Sequence, residues 1–297
     1  MTWKFERVAG PYKGITGGIA WDGRRVLFSA VQEERVLSFD PASGEVDVFR
    51  KYNGRTNGLA IGRDGAIFGA QEGGRRVIQF MSDGSTAPTC ELLDGHRHNQ
   101  PTDLVVDGHG RVWFADPHNA VAPYGPPVYP FPERGSILRL ERVGCGGAWQ
   151  LRQITHDTSE PRALVLSADD RTLVVAEGNA EMGGTCDLRA YAVSDDGGAG
   201  EPHILYAFGS GERGVEGLCV DHAGNIIACG GWKKSGTGPF VHVYSPAGEL
   251  LESHLAPCEL PMRCAFGDAA LDSLYLTAGD GCVYRARGTG RHVIARR

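Results

Sequence analysis

No stretch of this chain approaches 18 uninterrupted apolar residues, so a membrane-spanning helix is not expected. The segment Met1–Arg7 lacks a basic stretch leading into an apolar run, which argues against a secretory signal. There is no excess of basic charge either. Lys and Arg number 30 against 36 Asp and Glu, for a net charge of −6, whereas a protein that reads phosphate backbones is normally basic. Neither nucleic acid nor membrane is therefore an expected partner. The eight cysteines (Cys90, Cys145, Cys186, Cys219, Cys229, Cys258, Cys264 and Cys282) include no C-x-x-C pair. Cys219 and Cys229 lie in apolar, strand-like runs, so reduced core thiols and a cytoplasmic setting are expected. No 10–15-residue helical pattern separates the apolar stretches, which argues against a parallel βαβ sheet.

Glycine, by contrast, is abundant. Its 43 residues in 297 are about twice the usual share and show no collagen-like period, so many turns and short strands are expected. One short pattern recurs six times: Gly17-Gly18-Ile19-Ala20, Asn57-Gly58-Leu59-Ala60, Thr102-Asp103-Leu104-Val105, Arg162-Ala163-Leu164-Val165, Glu216-Gly217-Leu218-Cys219 and Arg263-Cys264-Ala265-Phe266. Each copy is followed by an Asp- or Gly-containing turn and a second apolar strand, such as Val112-Trp113-Phe114 after Asp107-Gly108. Alternation cut by such turns is an antiparallel hairpin signature. Six units of roughly 40–60 residues, each with three or four strands, predict an all-β fold: a single six-bladed β-propeller of four-stranded antiparallel blades over residues 1–297. The strand-like segment Trp3–Val8 precedes the first unit and is expected to complete the last blade, hiding its edge.

The stretches Thr56-Asn57-Gly58-Leu59, Glu72-Gly73-Gly74-Arg75, Asn99-Gln100-Pro101-Thr102-Asp103-Leu104 and Trp113-Phe114-Ala115-Asp116-Pro117 resemble the SMP-30/gluconolactonase (regucalcin-like) family in order and spacing. The resemblance implies a six-bladed propeller with one pocket at the mouth of the central channel, and a metal-dependent lactonase or related esterase. It also implies metal ligands: a Glu in the first repeat, Asn in the third and fourth, and Asp in the fifth. Gly17, Thr102, Arg162 and Glu216 stand there instead. A hard divalent cation wants six or more oxygens, several of them anionic, and an arginine brings a fixed positive charge. The usual metal site is therefore expected to be absent, with no cofactor required; calcium or zinc is the alternative.

In a propeller the first residue of each repeat faces one mouth of the channel, giving a ring of Gly17, Asn57, Thr102, Arg162, Glu216 and Arg263. The second strands end on the same face, contributing Glu72, Asp116, His118, Glu177, Asn179, Trp232 and Asp280. Glu216 is expected to lie between Arg162 and Arg263. This group either plugs the channel or presents a guanidinium fork to a substrate carboxylate or lactone carbonyl, with Glu216 as base or orienter. Two nearby cations would lower the pKa of Glu216 and favour orienting. Asp103 and His118 are further catalytic candidates. Asn57, Glu72, Asn99, Thr102, Asp116, Glu177 and Trp232 join Arg162 and Arg263 as candidate substrate contacts. The segment Pro117–Gly135, with six prolines plus Tyr124, Tyr129 and Phe131, is either an ordered crossover or a lid. The expected function is hydrolysis of a small lactone or ester without the usual metal. The alternatives are a metal-free lyase or isomerase, and a non-catalytic ligand-binding propeller.

Overall fold

The computed structural model describes residues 2–119, 121, 122, 124, 130–144, 147–178 and 186–294. Apart from a single 3-10 turn at Val31–Glu33, the regular structure there is all β. Asn179, Cys145 and, within the 117–135 segment, residues 120, 123 and 125–129 (Tyr129 among them) lie outside the described residues. The seven described cysteines are free thiols. No described helix is long and apolar enough to cross a membrane.

Six four-stranded antiparallel sheets form the blades. Blade 1 runs through Thr16–Trp21, Val26–Ala30, Arg35–Phe39 and Val46–Lys51. The innermost strands of blades 2 to 5 are Thr56–Ile61, Asp103–Val106, Pro161–Leu166 and Val215–Val220. Blade 6 consists of Pro261–Gly267, Ser273–Ala278, Val283–Ala286 and, from the other end of the chain, Phe5–Ala9. The innermost strands touch their neighbours in a closed cycle, blade 6 against blade 1 included. The repeat and its strand count are thus as the sequence implies.

The turns explain why the pattern folds this way. Asp107 accepts the backbone N–H of His109 and Arg111 on Oδ1 (2.9 Å each), and the Trp113 indole N–H on Oδ2 at 2.8 Å. Asp221 does the same for Ala223 and Asn225. A short carboxylate that caps its own turn sets the hairpin without help from the rest of the fold. The apolar residues then pack between blades. One cluster joins Ala60, Phe68 and Val77 of blade 2 to Leu104, Phe114 and Leu138 of blade 3.

Closure rests on the first residues. Phe5 pairs with Ala286 and Ala9 with Val283. Ahead of that strand, the Trp3 ring stacks on His254 of blade 5 at 4.0 Å, and its indole N–H donates to the Thr289 carbonyl at 3.2 Å. Trp3 is buried. Trp3→Ala is expected to cost roughly 3–5 kcal/mol, typical of deleting a buried tryptophan, and to lower the thermal midpoint by several degrees. An unchanged midpoint by scanning calorimetry would count against this latch.

Candidate functional site

The ring residues owe their direction to β-bulges. In blades 1, 2, 4 and 5 the ladder register shifts between Thr16 and Ile19, Thr56 and Gly58, Pro161 and Ala163, and Val215 and Gly217. Gly17, Asn57, Arg162 and Glu216 fall within those shifts. A bulged residue leaves the ladder and its side chain is re-aimed, here at one mouth of the channel. In blade 6 the shift lies between Pro261 and Arg263, so the bulged residue is Met262.

That one-residue offset corrects the expected ring. Arg263 sits one level further in, level with Asp103, which pairs with Ala115 as Arg263 pairs with Thr277. Blades 3 and 6 stand opposite each other in a six-membered ring, so the Arg263 side chain reaches across the channel. Its Nε lies 3.3 Å from Asp103 Oδ1. Nη2 donates to the carbonyls of Thr102 (3.1 Å) and Arg162 (3.3 Å), and Nη1 donates to that of Glu216. The other blades place glycine or alanine at this level: Gly18, Gly58, Ala163 and Gly217. A Cβ on Gly217 would lie 2.6 Å from Arg263 Cα. Arg263 therefore ties three blades together through their main chain and does not flank the Glu216 carboxylate. Asp103 is its counter-charge, accepting the Leu164 N–H at 3.3 Å. Burial pushes the Asp103 carboxyl up, against the pull of Arg263.

Above this strut, the Glu216 carboxylate is held by Arg162 and by a residue the repeat does not mark, Arg213. Glu216 Oε1 accepts from Arg162 Nη1 at 2.5 Å and from Arg213 Nε at 2.8 Å. Glu216 is only 4% exposed. Burial alone would push its carboxyl up, but the charges of Arg162, Arg213 and Arg263 outweigh it and hold the group below the ordinary carboxylate range. Arg162 is raised in turn by Glu216. Its Nη2 also meets Glu160 Oε1 at 2.7 Å. Glu177 fixes the segment that carries Glu160, since its Oε1 accepts the Ser159 and Glu160 N–H groups at 2.8 Å each. Gly178 leaves room for the Arg162 side chain, because a Cβ there would overlap Arg162 Nε. Trp232 reaches the group through Arg213, whose guanidinium lies over the indole at 5.0 Å, with Lys234 Nζ at 5.6 Å.

A second charged group belongs to blade 2. Glu72 accepts from Asn57 Nδ2 at 2.9 Å and pairs with Arg55 Nη2 at 2.7 Å. Arg55 and Glu160 each lie two residues before a ring position, and Arg213 three before one. No periodicity distinguishes them from solvent-facing loop charges. Thr102 Oγ1 turns to the Arg162 carbonyl at 3.5 Å. His118 is exposed, with Nδ1 2.8 Å from the Pro132 carbonyl, and no described contact joins it to Glu216. Asn99 and Asp116 bond to each other, Asn99 N–H to Asp116 Oδ2 at 2.8 Å, and line a different pocket.

At the ligand positions that the resemblance assigns, Gly17 offers no side chain. A Cβ there would lie 2.7 Å from the Asn57 carbonyl oxygen and 2.9 Å from Asn57 Oδ1. Among the described residues, no three His, Cys, Asp or Glu side chains are grouped to hold a metal ion.

Comparison with known proteins agrees with this architecture. The chain is 24% identical to a gluconolactonase of Zymomonas mobilis over 93% of its length and 81% of that protein's. It is equally 24% identical to a pentonolactonase of Haloferax volcanii, over 89% of this chain and 81% of the relative. A solved gluconolactonase from Xanthomonas campestris superposes with a TM-score of 0.80 at 26% identity, covering 96% of this chain and 89% of the other. The profile of the SMP-30/Gluconolactonase/LRE-like region matches residues 15–280. A closed ring of six blades, matched along nearly its whole length, places the chain in the SMP-30/gluconolactonase/LRE-like family.

Proposed function

We propose that the protein hydrolyses a small lactone or ester at the channel mouth, and that it does so without a resident metal ion. The observation that carries this reading is the Arg162–Glu216–Arg213 group, seated where the family's ligand ring is expected. Gly17 has no donor and no space for one, and the guanidinium of Arg162 already neutralises Glu216. These residues do not fit a hard cation, which needs several anionic oxygens free to face it. In the proposed reaction water adds to the carbonyl carbon and gives up a proton to solvent, and the ring C–O bond breaks as the leaving alkoxide takes a proton back from solvent, giving the hydroxy acid. The guanidinium groups of Arg162 and Arg213 stabilise the charge that develops on the carbonyl oxygen. Glu216, held ionised by its neighbours, orients both arginines and is too weak a base to abstract the proton of water. The lactonase activity of the relatives named above supports the substrate class.

The test is a panel of aldonolactones and simple esters, assayed with and without EDTA. Turnover that survives the chelator is expected; turnover that needs an added divalent ion overturns the metal-free reading. No turnover over the panel, combined with ligand-dependent thermal stabilisation, would favour a binding protein. Independently of activity, adding calcium at submillimolar concentration is expected to leave the thermal midpoint unchanged within about a degree, because a site that does not bind contributes nothing to stability.

A further inference from the structure

Away from the channel mouth, the upper side of blade 3 holds a pocket of about 540 Å³, a size suited to a small metabolite. None of Asn57, Glu72, Arg162 or Glu216 lines it. Its wall includes Asn99, Asp116, Phe131 and Leu138. Asn99 and Asp116 are 1% and 2% exposed, and each leaves one oxygen, Oδ1, without a hydrogen-bond partner.

The partners that these residues do have fix which atoms remain. Asn99 Nδ2 donates to the Arg134 carbonyl at 3.1 Å, so the amide oxygen is the atom left over. Asp116 spends Oδ2 on the Asn99 N–H. Arg75 secures this wall from behind: its Nε donates to the carbonyls of His98 (2.7 Å) and Asn99 (3.0 Å), and its guanidinium lies over the Phe131 ring at 4.2 Å. A buried acceptor without a donor is costly, and two of them on one braced wall are a standing demand for hydroxyl or amino hydrogens. Phe131 and Leu138 add an apolar surface of the kind that packs against the C–H face of a sugar.

We propose that this pocket is a second ligand site, separate from the channel mouth, for a neutral polyhydroxylated molecule of monosaccharide size, whose hydroxyl groups donate to Asn99 Oδ1 and Asp116 Oδ1 while its carbon skeleton packs on Phe131 and Leu138. The site goes beyond the hydrolytic reading and stands or falls separately from it.

Xylitol, a neutral alditol that no lactonase can hydrolyse, serves as the probe. Saturation-transfer NMR and titration calorimetry on the full chain are expected to show binding. Asn99→Leu and Phe131→Ala should each weaken it by about tenfold or more, and Glu216→Gln should leave it within about twofold. Phe131 is only partly buried, so its alanine variant decides the matter should Asn99→Leu fail to fold. Absence of binding up to about 50 mM xylitol, well beyond a millimolar dissociation constant, overturns the proposal. So does binding that Glu216→Gln abolishes and Phe131→Ala spares, since that would put the alditol at the mouth. The lactone panel reads the other site, so either result can fail without the other.

Discussion

Replacing Arg263 with methionine is expected to lower the free energy of unfolding by about 3–5 kcal/mol, the range for removing one partner of a buried ion pair. The variant leaves the Asp103 carboxylate buried without its counter-charge and strips donors from the carbonyls of Thr102, Arg162 and Glu216. Arg263→Lys keeps the charge but has no planar fork with which to reach carbonyls on three blades, so it should recover only part of the loss. Combining Arg263→Met with Asp103→Leu removes both charges and should be milder than the single change. Urea unfolding of the four proteins measures all of this. A single-variant loss under about 1 kcal/mol, the worth of an exposed pair, would show that the strut contributes little.

Glu216→Gln has the largest expected effect on activity. The carboxylate holds Arg162 and Arg213 together, and without its charge the two guanidinium groups repel each other and lose their aim. If they stabilise the developing oxyanion, kcat/KM for a lactone should fall by about 10²–10³, as on losing an oxyanion-hole donor. Stability should fall less, by about 1.5–3 kcal/mol, because the amide still accepts one hydrogen bond and Arg162 keeps Glu160. The pH dependence has a definite sign. Glu216 titrates below its ordinary value in the folded protein, so its contribution is fully present above about pH 4.3 and drains away as pH falls through the lower folded value. The gap in stability between wild type and Glu216→Gln should therefore close in acid. Wild-type turnover in a folded Glu216→Gln variant would remove this residue from the mechanism and turn attention to Glu72 and His118.

The architecture was readable because it is written six times. A turn aspartate such as Asp107 or Asp221 acts within its own hairpin, so its effect is visible in a few consecutive residues. The ring positions Asn57, Arg162 and Glu216 line up by alignment of the repeats, and each falls in the β-bulge of its own blade. The repeat misplaced Arg263, because a bulge adds a residue that pattern matching does not count. In blade 6 the bulge falls on Met262, and the arginine behind it drops one level. Arg213 escaped notice for a different reason. It lies on an irregular segment outside the period, and only the three-dimensional meeting with Glu216 and Trp232 gives it a role. The blade-3 pocket was hidden likewise. The repeat marks Asp116 as a polar strand end, but which cavity Asn99 and Asp116 line depends on the path of the chain around Phe131.

The latch between Phe5–Ala9 and Val283–Ala286 also bears on how the chain comes off the ribosome. The strand Phe5–Ala9 is made before blades 1 to 5, and its partner only after all five have been synthesised. Until then the Phe5–Ala9 strand, with Trp3 just ahead of it, has no sheet to join, and the half-built blade 6 presents an open edge of unpaired backbone. Ring closure is thus a contact of nearly maximal sequence separation, and pairing of that kind is slow. A chain made only as far as Val283 would hold five blades, the first two strands of blade 6 and an unpaired Phe5–Ala9 strand, a species that a ribosome-arrest series read by protease sensitivity should detect.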